Sequence, residues 1–382
     1  MGSPSTFVFA GGGTGGHLFP GIAVAEELRR RDSSTRIVFV GSTRAIESTI
    51  LAEHDLEHRM LVVEPLPILR RNPLRFAFRN WQAWRVATKI LQELRPTVVI
   101  GLGGYASAPL VWAASRSHVP VVLIEQNVIP GRTTRWLSRF ANHICVSFAE
   151  TRSQLTRAQS IIVTGNPVRE VIAALHDPKP TSSTSSFDST SKPELLILGG
   201  SQGADSLNDA LLVAIKKSRD VFSGWKLIHQ AGPRQTDDIR QTYEGLGLTA
   251  VVESFFHDLP QRYASASLVI SRAGATTLAE LACVGVAMIL LPYPHAADDH
   301  QRANAQVFVD HNAAIMVEHS SASEKTAEEL SLVLRQLADD TEQRRAMGLA
   351  AKQLAHPNAA QRIAIVIKDV ADQVSWHERT RS

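Results

Sequence analysis

Twice in this chain an apolar run ends in a glycine-rich loop that opens an amphipathic segment. Phe7-Val8-Phe9-Ala10 leads into Gly11-Gly12-Gly13-Thr14-Gly15-Gly16-His17, and Leu195-Leu196-Ile197-Leu198 leads into Gly199-Gly200-Ser201-Gln202-Gly203-Ala204. A strand–glycine–helix junction has few solutions. The glycines let the chain turn sharply, and backbone N–H groups at the positive end of the helix dipole then face any polar ligand at close range. One such junction in each half predicts two nucleotide-fold domains with the chemistry in a shared cleft.

The rest of the pattern agrees. Short β-branched runs at Arg36–Gly41, Thr97–Gly101, Val119–Ile124, Ile161–Thr164, Lys226–Gln230, Ser267–Ser271 and Val286–Leu291 alternate with helical segments. In one of these Leu18, Ile22, Ala25 and Leu28 share a face. Continuous apolar strands between helices form parallel sheets covered on both faces, and 382 residues leave room for two of them. The pattern fails between His176 and Pro193, where Pro, Ser and Thr replace apolar periodicity. The expected organisation is an N-terminal Rossmann-like domain over 6–175, a Ser/Thr/Pro-rich linker over 176–193, and a C-terminal Rossmann-like domain over 194–355. A last helix over 356–382 is expected to pack back on the N-terminal domain.

Composition narrows the partners. A net charge of +3 gives no global field for nucleic acid, and 44% apolar with 20% charged residues is an ordinary globular balance. Cys145 and Cys283 stand alone in apolar contexts, which argues against a disulfide framework or zinc site and for a reducing compartment. The first apolar run leads straight into the glycine loop, so no secretory signal is expected. The stretch Leu281–Tyr293 is too short to span a bilayer.

Gly11, Gly13 and Gly16 satisfy the dinucleotide fingerprint, but that reading needs a carboxylate at the end of the second strand to hold the ribose. Here the strand ends in Gly41-Ser42-Thr43-Arg44. Arg44 suits a 2′-phosphate, so a nicotinamide-dependent reductase stays open at this point.

Further segments at strand exits are more specific. They are Gly101-Leu102-Gly103-Gly104-Tyr105-Ala106-Ser107-Ala108-Pro109, Glu125-Gln126-Asn127, and Gly165-Asn166-Pro167-Val168-Arg169. In the second half they are Ser271-Arg272-Ala273-Gly274-Ala275-Thr276-Thr277-Leu278-Ala279-Glu280, Leu291-Pro292-Tyr293-Pro294, and Asp298-Asp299-His300-Gln301-Arg302-Ala303-Asn304-Ala305. In this order and spacing, from about Phe7 to about Asn304, the chain resembles the MurG family of bacterial glycosyltransferases. The resemblance implies an α/β architecture of the GT-B fold, two Rossmann-like doubly wound domains facing an interdomain cleft. It implies an inverting transfer of N-acetylglucosamine from UDP-GlcNAc to the 4-hydroxyl of MurNAc in undecaprenyl-pyrophosphoryl-MurNAc-pentapeptide, the lipid I to lipid II step of peptidoglycan synthesis.

For the donor, N–H groups at Ala275, Thr276 and Thr277 suit a diphosphate at a helix start, and Glu280 falls one turn on. The resemblance gives Glu280 the ribose hydroxyls and places Arg272, Leu278 and Ala279 in the same binding segment. It gives Phe256 the uracil pocket, Ser201 a phosphate contact with Asn208 further along that helix, and Gln301 the hydroxyls of the transferred sugar. Arg169 is expected to offset diphosphate charge. For the acceptor, the resemblance implies Thr14, Gly15, Gly16, His17, Tyr105 and Asn127. A helix start favours the neutral imidazole that a base requires, so His17 is the expected base and Glu125 its rival. The chain departs from the family at Ile124, where histidine is usual, at Thr134, often asparagine, and in the segment 181–192, which looks inserted.

No Asp-x-Asp follows a strand in the position metal-dependent glycosyltransferases use, so no obligatory metal or other cofactor is expected, although divalent stimulation fits the pattern. The implied acceptor is a lipid. Between Leu66 and Lys89, Ile68, Leu69, Leu74, Phe76, Phe78, Trp81 and Trp84 interleave with five arginines. That composition over Ile68–Lys89 suits peripheral contact with an anionic membrane rather than nucleic acid, and the resemblance implies the cytoplasmic face of the inner membrane. Besides the reductase, a UDP-sugar epimerase of GT-B-like fold and a non-enzymatic nucleotide-sugar binder are the alternatives left open.

Overall fold

A computed structural model of the protein describes residues 5–12, 15–177, 192–200, 203–319 and 323–379. Thr14, Ser201 and most of the 181–192 segment lie outside the described residues. Contacts divide the chain into two units, Met1–Arg169 with Asn358–Ser382 and Glu170–Pro357.

The first unit runs β1 (Thr6–Ala10), α1 (Gly15–Arg31), β2 (Arg36–Gly41), α2 (Ala45–Glu53), β3 (Glu57–Met60), α3 (Pro67–Arg71), α4 (Pro73–Leu94), β4 (Val98–Gly101), α5 (Ala108–Arg116), β5 (Val121–Glu125), α6 (Arg132–Leu137), β6 (His143–Val146) and β7 (Ile161–Val163). The second runs α7 (Glu170–Ala173), β8 (Glu194–Leu198), α8 (Asp205–Lys217), α9 (Arg219–Phe222), β9 (Lys226–Gln230), α10 (Thr236–Gly245), β10 (Thr249–Glu253), α11 (Leu259–Ser265), β11 (Leu268–Ser271), α12 (Ala275–Val284), β12 (Met288–Leu290), α13 (His300–Asp310), β13 (Ala314–Met316), α14 (Ser323–Asp339) and α15 (Thr341–Gln353). The chain then returns to the first unit as α16 (Ala359–Arg379).

Each unit is a parallel sheet with helices on both faces. The first has the order β3-β2-β1-β4-β5-β6-β7, the second β10-β9-β8-β11-β12-β13. Strand alternation explains how both faces are buried. Phe7 and Phe9 of β1 enter a core with α1, and Phe9 stacks on Phe39 at 4.8 Å. Val8 and Ala10 enter the opposite core with Ala87, Ile90 and Leu91 of α4. The first core is closed by Ile363, Ala364, Ile367, Val370 and Ala371, one face of α16.

The first unit ends at Arg169 rather than at 175. The short helix α7 packs on α12, and Lys352 Nζ donates to the His176 carbonyl, so 170–177 belong with the second sheet. In both sheets the strand order reverses beside the first strand, between β1 and β4 and between β8 and β11. Open α/β sheets bind ligands at the strand carboxyl ends where the order reverses. Both glycine loops leave from there.

Candidate functional site

In the second unit, a cavity of about 950 Å³ opens at the carboxyl ends of β8, β11 and β12, lined by Gly199, Gly203, Ser206, Arg272, Tyr293 and Gln301 among others. Arg272 knits its wall. Nη1 donates to the carbonyls of Leu291 (3.0 Å) and Pro292 (3.2 Å), and Nη2 donates to Ser206 Oγ at 2.8 Å. Burial lowers its pKa to about 10, so it remains a cation at neutral pH. Gln301, at the start of α13, accepts the Tyr293 N–H through Oε1 at 2.9 Å. Gln301 therefore holds the loop that carries Tyr293 against the cavity.

Helix α12 opens after Gly274, whose backbone is extended and offers no capping side chain. Its first turn, Ala275 to Thr277, thus presents the positive end of a ten-residue helix at the sheet's carboxyl edge. Leu278 is fully buried, its side chain in the core, and Ala279 is half-buried. Glu280 is buried and accepts from the Tyr263 hydroxyl at 3.0 Å. Tyr263 was not foreseen; it fixes the carboxylate that the sequence singled out. Phe256 is buried beneath the Arg262 guanidinium, and its N–H donates to Gln230 Oε1 at 3.1 Å. Neither Glu280 nor Phe256 lines the cavity that holds Arg272 and Gln301.

Asn208, expected among the binding residues, is wholly enclosed. Its Nδ2 donates to the Ala231 carbonyl (2.9 Å) and to Gln235 Oε1 (2.8 Å). Its Oδ1 lies 3.1 Å from His229 Nε2, and His229 Nδ1 lies 2.9 Å from the Tyr243 hydroxyl. Because Asn208 Nδ2 is the donor on one side, Oδ1 accepts on the other, which sets His229 as the Nε2–H tautomer. This network braces the loop after β9 beneath Gly199, whose N–H donates to the Gln230 carbonyl at 3.0 Å. Asn208 supports the glycine loop from below rather than reaching into the cavity.

In the first unit the loops after β1 and β4 press together. A Cβ on Gly11 would lie 2.6 Å from the Gly103 carbonyl oxygen, and Gly11 has φ +120°. Gly103, at φ +90°, leaves room for His17: a Cβ there would lie 3.1 Å from its Cδ2 and 3.4 Å from its Nε2. His17 is half-buried in the first turn of α1, with Gly15 and Gly16 before it. Only glycines let these two loops and the imidazole share that space.

Glu125 is buried at the end of β5 and is already engaged. Oε1 accepts from Asn127 N (3.0 Å) and Asn127 Nδ2 (3.3 Å), and Oε2 accepts from Gly131 N (3.1 Å). The carboxylate thereby shapes the loop from Gln126 to Gly131. Ile124 points the other way into the core with Phe9 and Cys145, so the position where the family usually has histidine is apolar packing here. Arg169 lays its guanidinium over the Phe19 ring of α1.

Tyr105 lines a second, apolar cavity of about 510 Å³, with Leu66, Phe76, Trp81, Trp84, Trp112 and Trp136. The rings of Trp84, Trp112, Trp136 and Phe140 follow one another at 5.4–6.5 Å. Beside it the first half of α4 exposes Leu74 (83%), Phe78 (56%) and Trp81 (48%), while the second half buries Ala83, Ala87, Ile90, Leu91 and Leu94. No helix among the described residues is long and apolar enough to cross a membrane.

Residues 7–146 match the glycosyltransferase family 28 N-terminal domain and residues 194–363 its C-terminal domain. The chain is 38% identical over 359 residues to a Geobacter sulfurreducens protein, covering 93% of this chain and 96% of that one. That relative is named UDP-N-acetylglucosamine–N-acetylmuramyl-(pentapeptide) pyrophosphoryl-undecaprenol N-acetylglucosamine transferase, as is a Myxococcus xanthus protein 36% identical over 370 residues, covering 97% of this chain and 94% of that one. The crystal structure of Acinetobacter baumannii MurG superposes with a TM-score of 0.77 at 29% identity, covering 96% of this chain and all of that one. A UDP-GlcNAc 2-epimerase from Neisseria meningitidis shares the fold at TM-score 0.65 and 14% identity, covering 96% of this chain and all of that one.

Proposed function

We infer the reaction from one premise: the chain belongs to glycosyltransferase family 28, and within it to the MurG family. It is an N-acetylglucosaminyltransferase of peptidoglycan synthesis, moving N-acetylglucosamine from UDP-GlcNAc to the lipid-linked N-acetylmuramyl-pentapeptide. The epimerase likeness, at 14% identity, extends to the fold alone.

In our reading the second unit holds the donor. The diphosphate lies against the α12 start and the Gly199 loop near Arg272, Glu280 takes the ribose hydroxyls, and backbone beside Phe256 meets uracil. Gln301 faces the transferred sugar. Helix dipole and guanidinium offset the charge of the departing diphosphate, so the reaction requires no metal. The first unit supplies the acceptor side through Gly15, Gly16, His17, Tyr105 and Asn127. His17 accepts the proton of the muramyl 4-hydroxyl as that oxygen bonds to the anomeric carbon. The bond from that carbon to the diphosphate oxygen breaks, UDP leaves with the electron pair, and attack opposite the leaving group gives a β-1,4 linkage.

The observation that carries this assignment is the contrast between the two candidate bases. His17 stands at a helix start against the Gly103 loop, whereas Glu125 has both oxygens committed to backbone and amide donors. The lipid end of the acceptor suits the apolar cavity beside Tyr105 and the exposed half of α4, which supports a peripheral position on the membrane that carries the substrate.

The test is UDP release from UDP-GlcNAc with and without a short-chain lipid-linked muramyl-peptide. Release should depend on acceptor. His17→Ala should lower kcat at least 100-fold with UDP affinity within threefold of wild type. A Glu125→Gln enzyme that loses turnover as deeply while staying folded would transfer the base role to Glu125.

A further inference from the structure

His319 lies three residues beyond β13, on the wall of the same cavity as Gly199, Gly203 and Arg272. No sequence motif pointed to it. It is brought there by the edge of the sheet: β13 pairs with β12, and Val317 N donates to the Leu290 carbonyl at 2.9 Å. Glu318 then pairs with Arg302 of α13 at 2.6 Å, which ties this segment to the helix that carries Gln301.

The other polar groups on this wall are largely spent on the protein itself. The Arg272 Nη atoms are held by two carbonyls and Ser206, while its Nε is closed from solvent and meets no partner among the described residues. Arg234 pairs with Asp205 at 2.8 Å, and Asp209 accepts from Gln235. Gln301 gives its carbonyl oxygen to Tyr293 N. On His319, Nδ1 is likewise closed from solvent and meets no hydrogen-bond partner among the described residues. A proton on that nitrogen would be a buried donor without an acceptor, so the ring carries its proton on Nε2. The surroundings act in the same direction: burial first, then the neighbouring Arg272 and His295, hold the imidazole below its usual pKa.

We propose that His319 is a further donor-site residue, binding the diphosphate of the nucleotide sugar as a neutral Nε2–H hydrogen-bond donor. The proposal rests on the second unit being the donor site. A diphosphate oxygen beside a glycine loop and an arginine needs donors, and the cavity's guanidinium holds its Nη groups on the protein and its Nε closed from solvent. A neutral donor completes the shell without adding a further positive charge beside Arg272.

Calorimetric titration of the full-length protein with UDP and with UDP-GlcNAc tests this in two variants. His319→Ala should weaken both ligands roughly tenfold. His319→Gln, which keeps an N–H donor, should recover most of the loss. Repeating the UDP-GlcNAc titration in buffers of different ionisation heat should show no proton uptake by wild type at pH 7. UDP-GlcNAc is the ligand for that measurement because its diphosphate does not titrate near neutrality. Unchanged affinity in His319→Ala, an effect on UDP-GlcNAc but not UDP, or proton uptake that vanishes in His319→Ala would each overturn the proposal. A wild-type protein that binds neither ligand would instead bring down the donor-site reading, and this proposal with it.

Discussion

His229 is enclosed on every side in the second unit, between the Tyr243 hydroxyl and Asn208, and burial drives its pKa from 6.5 down to about 3. A buried imidazole held neutral makes stability depend on pH in a definite direction. The unfolded chain binds the proton between those two values and the folded chain does not. The stabilisation is therefore complete above about pH 6.5 and drains away as pH falls toward 3. Lowering the pH from 7 to 5 should cost the second unit about 2 kcal/mol from this one group. Segment-resolved hydrogen exchange at the two pH values would measure it. His229→Gln should flatten that dependence, and an equally steep pH response in the variant would place the effect elsewhere. At this scale the sequence was partly legible. His17 could be singled out because a glycine run and a helix start surround it, and Glu280 because it follows a helix start by one turn. Asn208 was misplaced because a buried brace and a ligand contact look alike along a helix. Tyr263 and His319 carry no local pattern; one acts from a different helix and the other from beyond an edge strand.

Helix α4 shows what an element can reveal that its residues cannot. Its mixture of aromatic residues and arginines reads equally as a core helix with a basic face or as a lipid-facing one. The structure separates the two along its length: the C-terminal half is core, and the N-terminal half leaves Leu74 and Phe78 largely in solvent. Large apolar side chains contribute on the order of 1.5–3 kcal/mol each when fully buried. Inserted about halfway, the pair would contribute roughly half of that sum, so replacing both with serine should weaken co-sedimentation with anionic vesicles on the order of 10- to 100-fold. The arginines around them should make the wild-type binding fall with added salt. Thermal stability should change little, because Leu74 is largely in solvent and Phe78 meets Trp81 only through a surface ring contact at 6.4 Å. A double variant that still sediments like wild type would sink the lipid-facing reading of this half-helix. Most strands were visible as β-branched runs, with ends matching or shifted by at most two residues. The edge strands β3 and β13 escaped notice. β3 reads Glu57-His58-Arg59-Met60, half-covered and polar, and β13 is three residues long, so neither shows the apolar run of a central strand.

For the whole molecule, the repeated strand–glycine–helix junction made two α/β units legible, but not the point at which the chain passes between them. Nothing in the composition of 170–175 marks a change of unit; only the packing of α7 on α12 assigns it. The return of the chain matters more for stability. Helix α16 supplies Ile363, Ala364, Ile367, Val370 and Ala371 to the core that backs β1, β2 and β4, in contact with α1. Burying that face is worth on the order of 5–10 kcal/mol, as much as the net stability of an entire domain. The first unit is thus incomplete until the last residues of the chain have been made, whereas the second has its own sheet, core and cavity. A chain ending at Pro357 should lose amide protection in β1, β2 and β4 while β8, β9 and β11 remain protected. UDP binding should survive within threefold, because every residue lining the Arg272 cavity lies in the second unit. Turnover should vanish with the first unit. Retained protection in β1 would mean that α16 only covers a core already closed without it, and lost UDP binding would mean that the second unit does not hold the donor site by itself.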